Sequence, residues 1–266
     1  MDNLSEKIAK DLFEIASEQR LSILFYLREE KSSISKLAKK LDATVPEVFR
    51  NFDRLVKAGL IEKNLDGNYG LTLYGKTVCT NLPSLFFVSL FEKYFKNHDF
   101  GEIPEKFIQR IGDLGTAQHI KGVVRVLEKW KNIHQNAKEY IFNILAEVPY
   151  SQDIIEVVAQ KAMSGVKINS IFSENVVIPD ERKEIFEKLQ FKKFIDKGII
   201  ERKMQKVKVV LLLNEKEACV MFPSKDGEAD MSEALYSMDQ KFHEWCYDFF
   251  NDCWNKSGIF QERKLK

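Results

Sequence analysis

Four cysteines in 266 residues, Cys79, Cys219, Cys246 and Cys253, form no CxxC pair and no framework spacing. That scarcity excludes a disulfide scaffold and points to reduced thiols inside a cell. An excess of charge of one sign is missing as well. The chain sets 41 Lys and Arg against 40 Asp and Glu, a net charge of +1. No global field announces nucleic acid or membrane, so any DNA binding must come from a local patch. Long apolar runs are also lacking: no segment approaches the roughly 20 apolar residues that span a bilayer. The opening MDNLSEKIAKDLFEIA mixes acids among its apolar residues, unlike a signal or transit peptide. A soluble, cytoplasmic protein is expected. What is plentiful is phenylalanine, 20 residues in a chain that is 44% hydrophobic and 30% charged. Such a balance belongs to an ordinary globular protein, and the Phe content fits a filled core, a greasy cavity or an apolar interface.

The first eighty residues read as short helices followed by a hairpin. Leu4, Ile8, Leu12, Phe13 and Ile15 lie near helical spacing, and SEQRLSILFYLREEK follows with Leu21, Leu24, Phe25 and Leu27 inward. Ser32 or Ser33 caps the short helix ISKLAKKLD. Thr44 and Glu47 then form a capping box, with Pro46 in the first turn of VPEVFRNFDRLVKAG. Gly59 suits the position just past its end. Two short helices across a tight turn make a helix-turn-helix. LIEK, the Asp66-Gly67 turn and the returning YGLTL add a wing, which completes a winged helix.

A recognition helix packs one face inward and offers polar and basic groups to the major groove with the other. Val48, Phe52, Leu55 and Val56 form the inward set. Thr44, Val45, Glu47, Arg50, Asn51 and Arg54 face outward, with Arg50 and Arg54 one turn apart and able to reach a guanine edge or phosphates. Lys36, Lys39, Lys40 and Lys63 fit phosphate contacts. Between Ile34 and Lys63 seven basic residues stand against four acidic ones, the local excess that the whole chain lacks. The stretch from Leu21 to Lys63 resembles the DNA-binding domain of arsenic-repressor-type and related archaeal regulators. The resemblance implies double-stranded DNA as a partner and a symmetric pair of chains as the reading unit. A winged helix that assembles proteins without reading DNA is the alternative.

One motif is declined. GLTLYGKT, Gly70 to Thr77, fits the phosphate-loop pattern letter by letter. A phosphate loop follows a buried strand and turns its N–H groups onto the phosphates. Here the preceding segment is the polar EKNLDGNY, and Leu71-Thr72-Leu73-Tyr74 suits the second wing strand. Gly75-Lys76-Thr77 reads as the turn into the next helix, so an ATPase is not expected.

Beyond residue 80 the pattern changes. Residues 81–102 form a helical connector in which Leu85, Phe86, Phe87, Leu90, Phe91, Tyr94 and Phe95 make an apolar surface suited to a dimer seam. Residues 103–266 alternate between helical and strand-like segments, which means an α/β layer fold. PEKFIQRIGDL and GTAQHIKGVVRVLEKWKNIHQNA read as helices, YIFNIL as a strand, SQDIIEVVAQKAMSG as a helix and VKINSIF as a strand. DERKEIFEKLQFKKFIDKG reads as one helix and IIERKM as a strand. VKVVLLLN and EACVMFP form a hairpin, and DQKFHEWCYDFFNDCWNKS a final amphipathic helix.

RIGDL, KGVVRVLEKW, AKEYIF, EACVMFP with the DGE that follows, and FHEWCYDFFNDCW resemble the middle domain of archaeal methanogenesis-regulator (Fil-type) proteins. The resemblance covers nearly all of residues 102–257. It implies an archaeal transcription factor whose C-terminal domain has a phospholipase-D-like α/β fold without catalysis. The phospholipase pattern H-x-K-x-x-x-x-D begins at His119 and Lys121, but its acid falls on Val126 and no second H-x-K occurs, so no hydrolase is expected. His119 reads as a helix-surface residue. His243, Cys246 and Cys253 lie on one helix without a fourth ligand, so no metal is expected. Asp226, Glu228 and Asp230 read as turn and cap residues, and no cofactor is expected. The candidates for lining an effector cavity are Tyr140, Phe142, Arg202, Phe222, His243, Trp245 and Trp254. The expectation is therefore a two-domain chain, residues 1–80 reading DNA as a homodimer and residues 103–266 sensing an unidentified small molecule.

Overall fold

The computed structural model describes residues 2–146, 151–174, 176 and 180–261. The chain divides into two compact units, Met1–Pro83 and Ser84–Lys266.

In the N-terminal unit, α1 (Asp2–Ile15), α2 (Glu18–Glu29), α3 (Ile34–Lys40) and α4 (Val45–Lys57) precede the strands β1 (Ile61–Lys63) and β2 (Tyr69–Leu71). Helix starts follow cap chemistry: Ser17 accepts from the Arg20 amide and Ser33 from the Lys36 amide. Arg20 is buried between α1 and α2, where its guanidinium donates to the Glu14 carbonyl and, at 3.1 Å, to the Phe13 carbonyl. It satisfies carbonyls that the end of α1 leaves open. α4 ends at Gly59, whose φ of +71° closes the turn that sends Leu60 back to the Leu55 carbonyl. β1 and β2 pair antiparallel across the Asp66-Gly67 turn, and Ser32 adds a short bridge to Tyr69. The core gathers Ile23, Leu24, Leu37, Val48, Phe52 and Leu55. Val56 departs from its expected inward position and is 42% exposed.

The helix α5 (Leu73–Leu90) begins two residues after β2. The returning wing strand is therefore shorter than YGLTL, and Gly75-Lys76-Thr77 lies in the first turns of a helix, not in a turn before one. Thr72 decides this locally. Its hydroxyl donates to the Gly59 carbonyl at 2.6 Å and accepts from the Gly75 amide at 3.0 Å, which is how an N-cap residue starts a helix.

The C-terminal unit is built on an eight-stranded mixed sheet. After α6 (Glu92–Phe95), α7 (Glu105–Ile108) and a 3-10 turn (Ile111–Leu114), the chain alternates β3 (Gln118–Lys121), α8 (Val123–Asn136), β4 (Tyr140–Leu145), α9 (Gln152–Met163) and β5 (Lys167–Ser173). Then come α10 (Asp180–Lys188), α11 (Phe191–Asp196), β6 (Ile200–Gln205), β7 (Val210–Leu213), β8 (Ala218–Met221), β9 (Glu233–Ser237), α12 (Gln240–Lys256) and β10 (Gly258–Ile259). The strand order is β10-β6-β5-β4-β7-β8-β9-β3, with β4, β5 and β6 parallel and the remaining neighbours antiparallel. Apolar cores cover both faces of the sheet, as expected for its parallel strands. On one face α12 packs with Phe87, Tyr94, Phe107 and Leu114 against Ile144, Leu211 and Val220. On the other, Trp130, Ile133 and Ile154 of α8 and α9 cover Leu145, Leu212 and Cys219.

Three expectations in this unit are corrected. The stretch from Gly115 to Ala137 is not one helix: QHIK is an edge strand paired with β9, and α8 starts only after Gly122. Gly122 has φ of +97°, outside helical geometry, and its amide donates to the Ser232 carbonyl at 2.7 Å. DERKEIFEKLQFKKFIDKG is likewise two helices, broken at Gln190 with φ of +56°. Of the expected dimer-seam residues, Phe87, Tyr94 and Phe95 are buried in the C-terminal core, while Leu85, Phe86 and Leu90 remain exposed.

Candidate nucleic-acid interface

α3 and α4 bring together the residues expected to meet DNA, but use them unequally. Thr44 donates from both its amide and its hydroxyl to the Glu47 carboxylate, at 2.9 and 2.7 Å. Glu47 is thus held at the helix N-terminus, and those hydrogen bonds keep its carboxyl below the usual range. Asn51 donates to Gln19 of α2 and to the Glu47 carbonyl. Lys36 pairs with Glu30 at 2.9 Å, and Lys63 lies 6.0 Å from the Tyr69 ring. Lys39, Lys40 and Arg50 are exposed, with no ion pair among the described residues.

Arg54 departs from its expected role. Its Nε and Nη2 each lie 2.9 Å from an oxygen of Glu14 in α1, and its guanidinium sits 5.5 Å from the Phe13 ring. The hydrogen bonds from Arg54 draw the Glu14 carboxyl below its ordinary range. The pair joins residues 40 apart in sequence, so helix spacing alone offered no sign of it. Arg50 and Arg54 share a helical side but play different parts. Arg54 ties α1 to α4, and Arg50 is left to face solvent. Phe49, 57% exposed and one turn after the exposed Val45, belongs to the same outer surface. Apolar contact with a thymine methyl is chemistry such side chains offer in a major groove. Exposure of so large an apolar group was the missing signal, and sequence alone did not carry it.

Gly70 to Thr77 forms no phosphate cradle. The Thr72 amide donates to the Leu60 carbonyl at 3.1 Å, the Gly75 amide to the Thr72 hydroxyl and the Lys76 amide to the Thr72 carbonyl. The amides of Thr72, Gly75 and Lys76 are thus taken by strand and helix.

The expected cavity residues are divided between the two faces of the sheet. Phe222 and Trp245 are fully buried in the core beside α12. Tyr140 and Phe142 stack on each other, Phe142 also stacks on Tyr247 and Phe250, and Tyr140 meets Tyr247 at a tilt. His243 Nε2 meets the Asn214 carbonyl at 2.7 Å, and Trp254 stacks on Phe250. Arg202 lines a cavity on the opposite face of the sheet. Strand alternation sends Tyr140 and Phe142 of β4 toward α12 and Arg202 of β6 away from it.

His119 lies on β3, not on a helix surface. It is hydrogen-bonded to Glu233 at 2.5 Å, with Lys121 3.6 Å from the same carboxylate. Val126, where the phospholipase pattern needs its acid, is buried. Asp230 accepts from the Ser232 amide and meets His98 Nε2 at 3.0 Å, a partner no sequence spacing suggested. Burial pushes the thiols of Cys246 and Cys253 up, the latter to about 12, which favours the neutral thiol over a metal-binding thiolate.

The sequence model of the bacterial regulatory protein, arsR family, matches residues 17–63. Residues 17–63 form an arsR-type helix-turn-helix. That span covers α2, α3, α4 and β1, the elements that carry Arg50 and its neighbours. Among curated proteins, none matches the chain in sequence. Among solved structures, the chain is similar to TrmBL2, described as an archaeal chromatin protein with a novel mode of DNA binding, at 14% identity and a TM-score of 0.40 over 86% of this chain and 88% of that one. It is also similar to the phospholipase D family member Nuc from Salmonella typhimurium (13% identity, TM-score 0.40, 55% of this chain and 99% of that one). NucT from Helicobacter pylori aligns with 11% identity and a TM-score of 0.41, over 55% of this chain and 99% of that one. No helix among the described residues is long and apolar enough to cross a membrane.

Proposed function

We propose that the chain is a sequence-specific DNA-binding transcriptional regulator, working as a homodimer whose C-terminal α/β domain senses a small molecule and performs no catalysis. The observation that carries the reading is the arsR-type unit itself, with α4 presenting unpaired Arg50 beside Val45 and Phe49 while Lys39 and Lys40 flank it on α3. Arg50 and the two apolar groups meet base edges, and the lysines meet phosphates. Arg54 and Asn51 hold α4 in place from behind.

Arg50→Ala is expected to weaken binding to a specific site by about 1–3 kcal/mol, roughly tenfold to a hundredfold. Arg54→Ala acts through the fold, loosening α1 from α4. The Glu14 carboxyl is depressed in the folded state, so this tie is present above the ordinary carboxylate range and is lost as pH falls through the lowered value. Gel-shift titration with both variants, repeated at several salt concentrations, is the measurement. Affinity that ignores salt and survives Arg50→Ala points instead to a protein-interaction module.

A single winged helix reads too few base pairs to find one site among many competitors. Pairing supplies a second half-site about 34 Å away, one helical turn along the duplex. Exposed Leu85 and Leu90, at 69% and 65%, support a seam there. The double variant Leu85→Glu/Leu90→Glu is expected to run as a monomer in light scattering and to bind a two-half-site DNA at least tenfold more weakly. A variant that keeps the oligomeric state of the parent rules out this seam.

A further inference from the structure

On the face of the sheet opposite α12, a cavity of about 70 Å³ lies between β4, β5 and β6 and the helices α8, α9, α10 and α11. Its walls are mostly apolar, with Ile154, Val158, Ile168, Phe172 and Phe191 among them. Two polar atoms in its lining residues stand out. Trp130 and His134 are each 2% exposed, yet among the described residues neither Trp130 Nε1 nor His134 Nδ1 has a hydrogen-bond partner. Buried polar groups are nearly always paired, so two orphans on neighbouring turns of one helix call for an explanation.

The hydrogen-bond network fixes what each atom offers. Asn143 donates from Nδ2 to the Ser170 hydroxyl at 3.4 Å, which turns its Oδ1 toward His134 Nε2 at 3.1 Å. A carbonyl oxygen only accepts, so Nε2 carries the ring proton. Burial pushes the His134 pKa down to about 4 and keeps the ring neutral. Nδ1 is therefore a bare acceptor, and the Trp130 N–H is a bare donor. A hydroxyl is the smallest group that serves both at once, donating to Nδ1 while accepting from Nε1. A carboxylate would set its lone pairs against that of Nδ1. An ammonium would leave the indole N–H unanswered. A cavity of about 10–15 Å³ holds one water, so about 70 Å³ leaves apolar space for a short hydrocarbon tail. Arg202 closes one side of the cavity with its guanidinium stacked 4.1 Å from the Phe260 ring.

We propose that this cavity is a binding site for a short-chain, uncharged alcohol, held by its hydroxyl between Trp130 and His134 and by its tail against the apolar wall. The site deepens the sensing role suggested for the C-terminal domain and rests on that reading only for its effect on DNA. Isobutanol is the probe, with isobutyrate and isobutylamine as charged counterparts of the same tail. Saturation-transfer NMR and calorimetry on the full chain are expected to show saturable isobutanol binding in the millimolar range or tighter, and none of comparable strength for the two ions. His134→Phe keeps the ring and removes the acceptor, and should weaken binding at least tenfold. Val158→Phe fills the space and should abolish it. Circular dichroism and melting of each variant establish that it is folded, and Trp130→Phe replaces any variant that is not. Absence of saturable binding to the parent chain overturns the proposal and leaves a water-filled cavity. Binding that survives both His134→Phe and Val158→Phe overturns it too. DNA titration with and without isobutanol tests the sensing reading separately, since binding without any change in DNA affinity sinks that reading and leaves the site standing.

Discussion

Gly75→Ala should destabilise the N-terminal unit by about 3 kcal/mol or more. A Cβ built on Gly75 would lie 2.0 Å from the Leu60 carbonyl oxygen and 3.0 Å from its carbon. Both are backbone atoms, so no rotamer change relieves the overlap. Within a helix, alanine is ordinarily favoured over glycine by about 1 kcal/mol. A clash of this depth outweighs that gain, because it forces the start of α5 away from the end of α4. The same movement breaks the 3.1 Å bond from the Thr72 amide to the Leu60 carbonyl and the bonds of the Thr72 hydroxyl to the Gly59 and Leu60 carbonyls. Amide exchange measured residue by residue is the check, with protection expected to fall across β1, β2 and the first turn of α5. An alanine variant as protected as the parent would mean the close approach is not a constraint. The result also bears on the phosphate-loop resemblance. In this chain the close approach to Leu60 is reason enough for the second glycine of GLTLYGKT.

Glu217→Ala should cost the C-terminal unit about 3–5 kcal/mol. Glu217 is 3% exposed, and its carboxylate accepts from Asn136 Nδ2 at 2.8 Å, Asn214 Nδ2 at 3.3 Å and the Tyr236 hydroxyl at 2.6 Å. Asn214 in turn donates to the Ile133 carbonyl at 2.7 Å and accepts from the amides of Lys216 and Glu217. The network ties the β7–β8 turn to the end of α8 and to β9. Removing the carboxylate orphans several buried donors together, which costs more than the net value of the bonds themselves. Burial and the bond to Glu217 also push the Tyr236 hydroxyl above its ordinary range, so it remains a donor at any ordinary pH. Glu217→Gln keeps the volume and one acceptor oxygen, and is expected to recover part of the loss. Denaturant unfolding of the three proteins is the measurement. An alanine variant within 1 kcal/mol of the parent would mean that relaxation or water meets the orphaned donors.

Much of this molecule is legible in its sequence alone. The helices of the arsR-type unit follow from period and caps: Ser32 or Ser33 and the Thr44–Glu47 box mark two starts, and Gly59 marks the end of α4. The wing turn follows from Asp66-Gly67, and the strands β4 through β8 from short apolar runs. All of these are local properties, encoded within a few residues of where they act. The pieces missed were decided by distant partners. QHIK is a strand because β9 pairs with it, although helical periodicity runs on from it into VVRVLEKW. EALYS is β9 because β8 and β3 flank it. Arg54 is tied up because α1 places Glu14 against it, and Gly75 is constrained because α5 starts within reach of Leu60. Six aromatic and histidine candidates proved to lie on the α12 side of the sheet, with Arg202 on the other, since alternate residues of a strand face opposite ways and only the packed layers say which face holds a cavity. Local chemistry determined what most segments are. Which polar atoms were left unmet among the described residues, the Arg50 guanidinium at the surface and Trp130 Nε1 and His134 Nδ1 in the interior, only the tertiary structure decided, because an unmet hydrogen bond or charge is a property of everything packed around it.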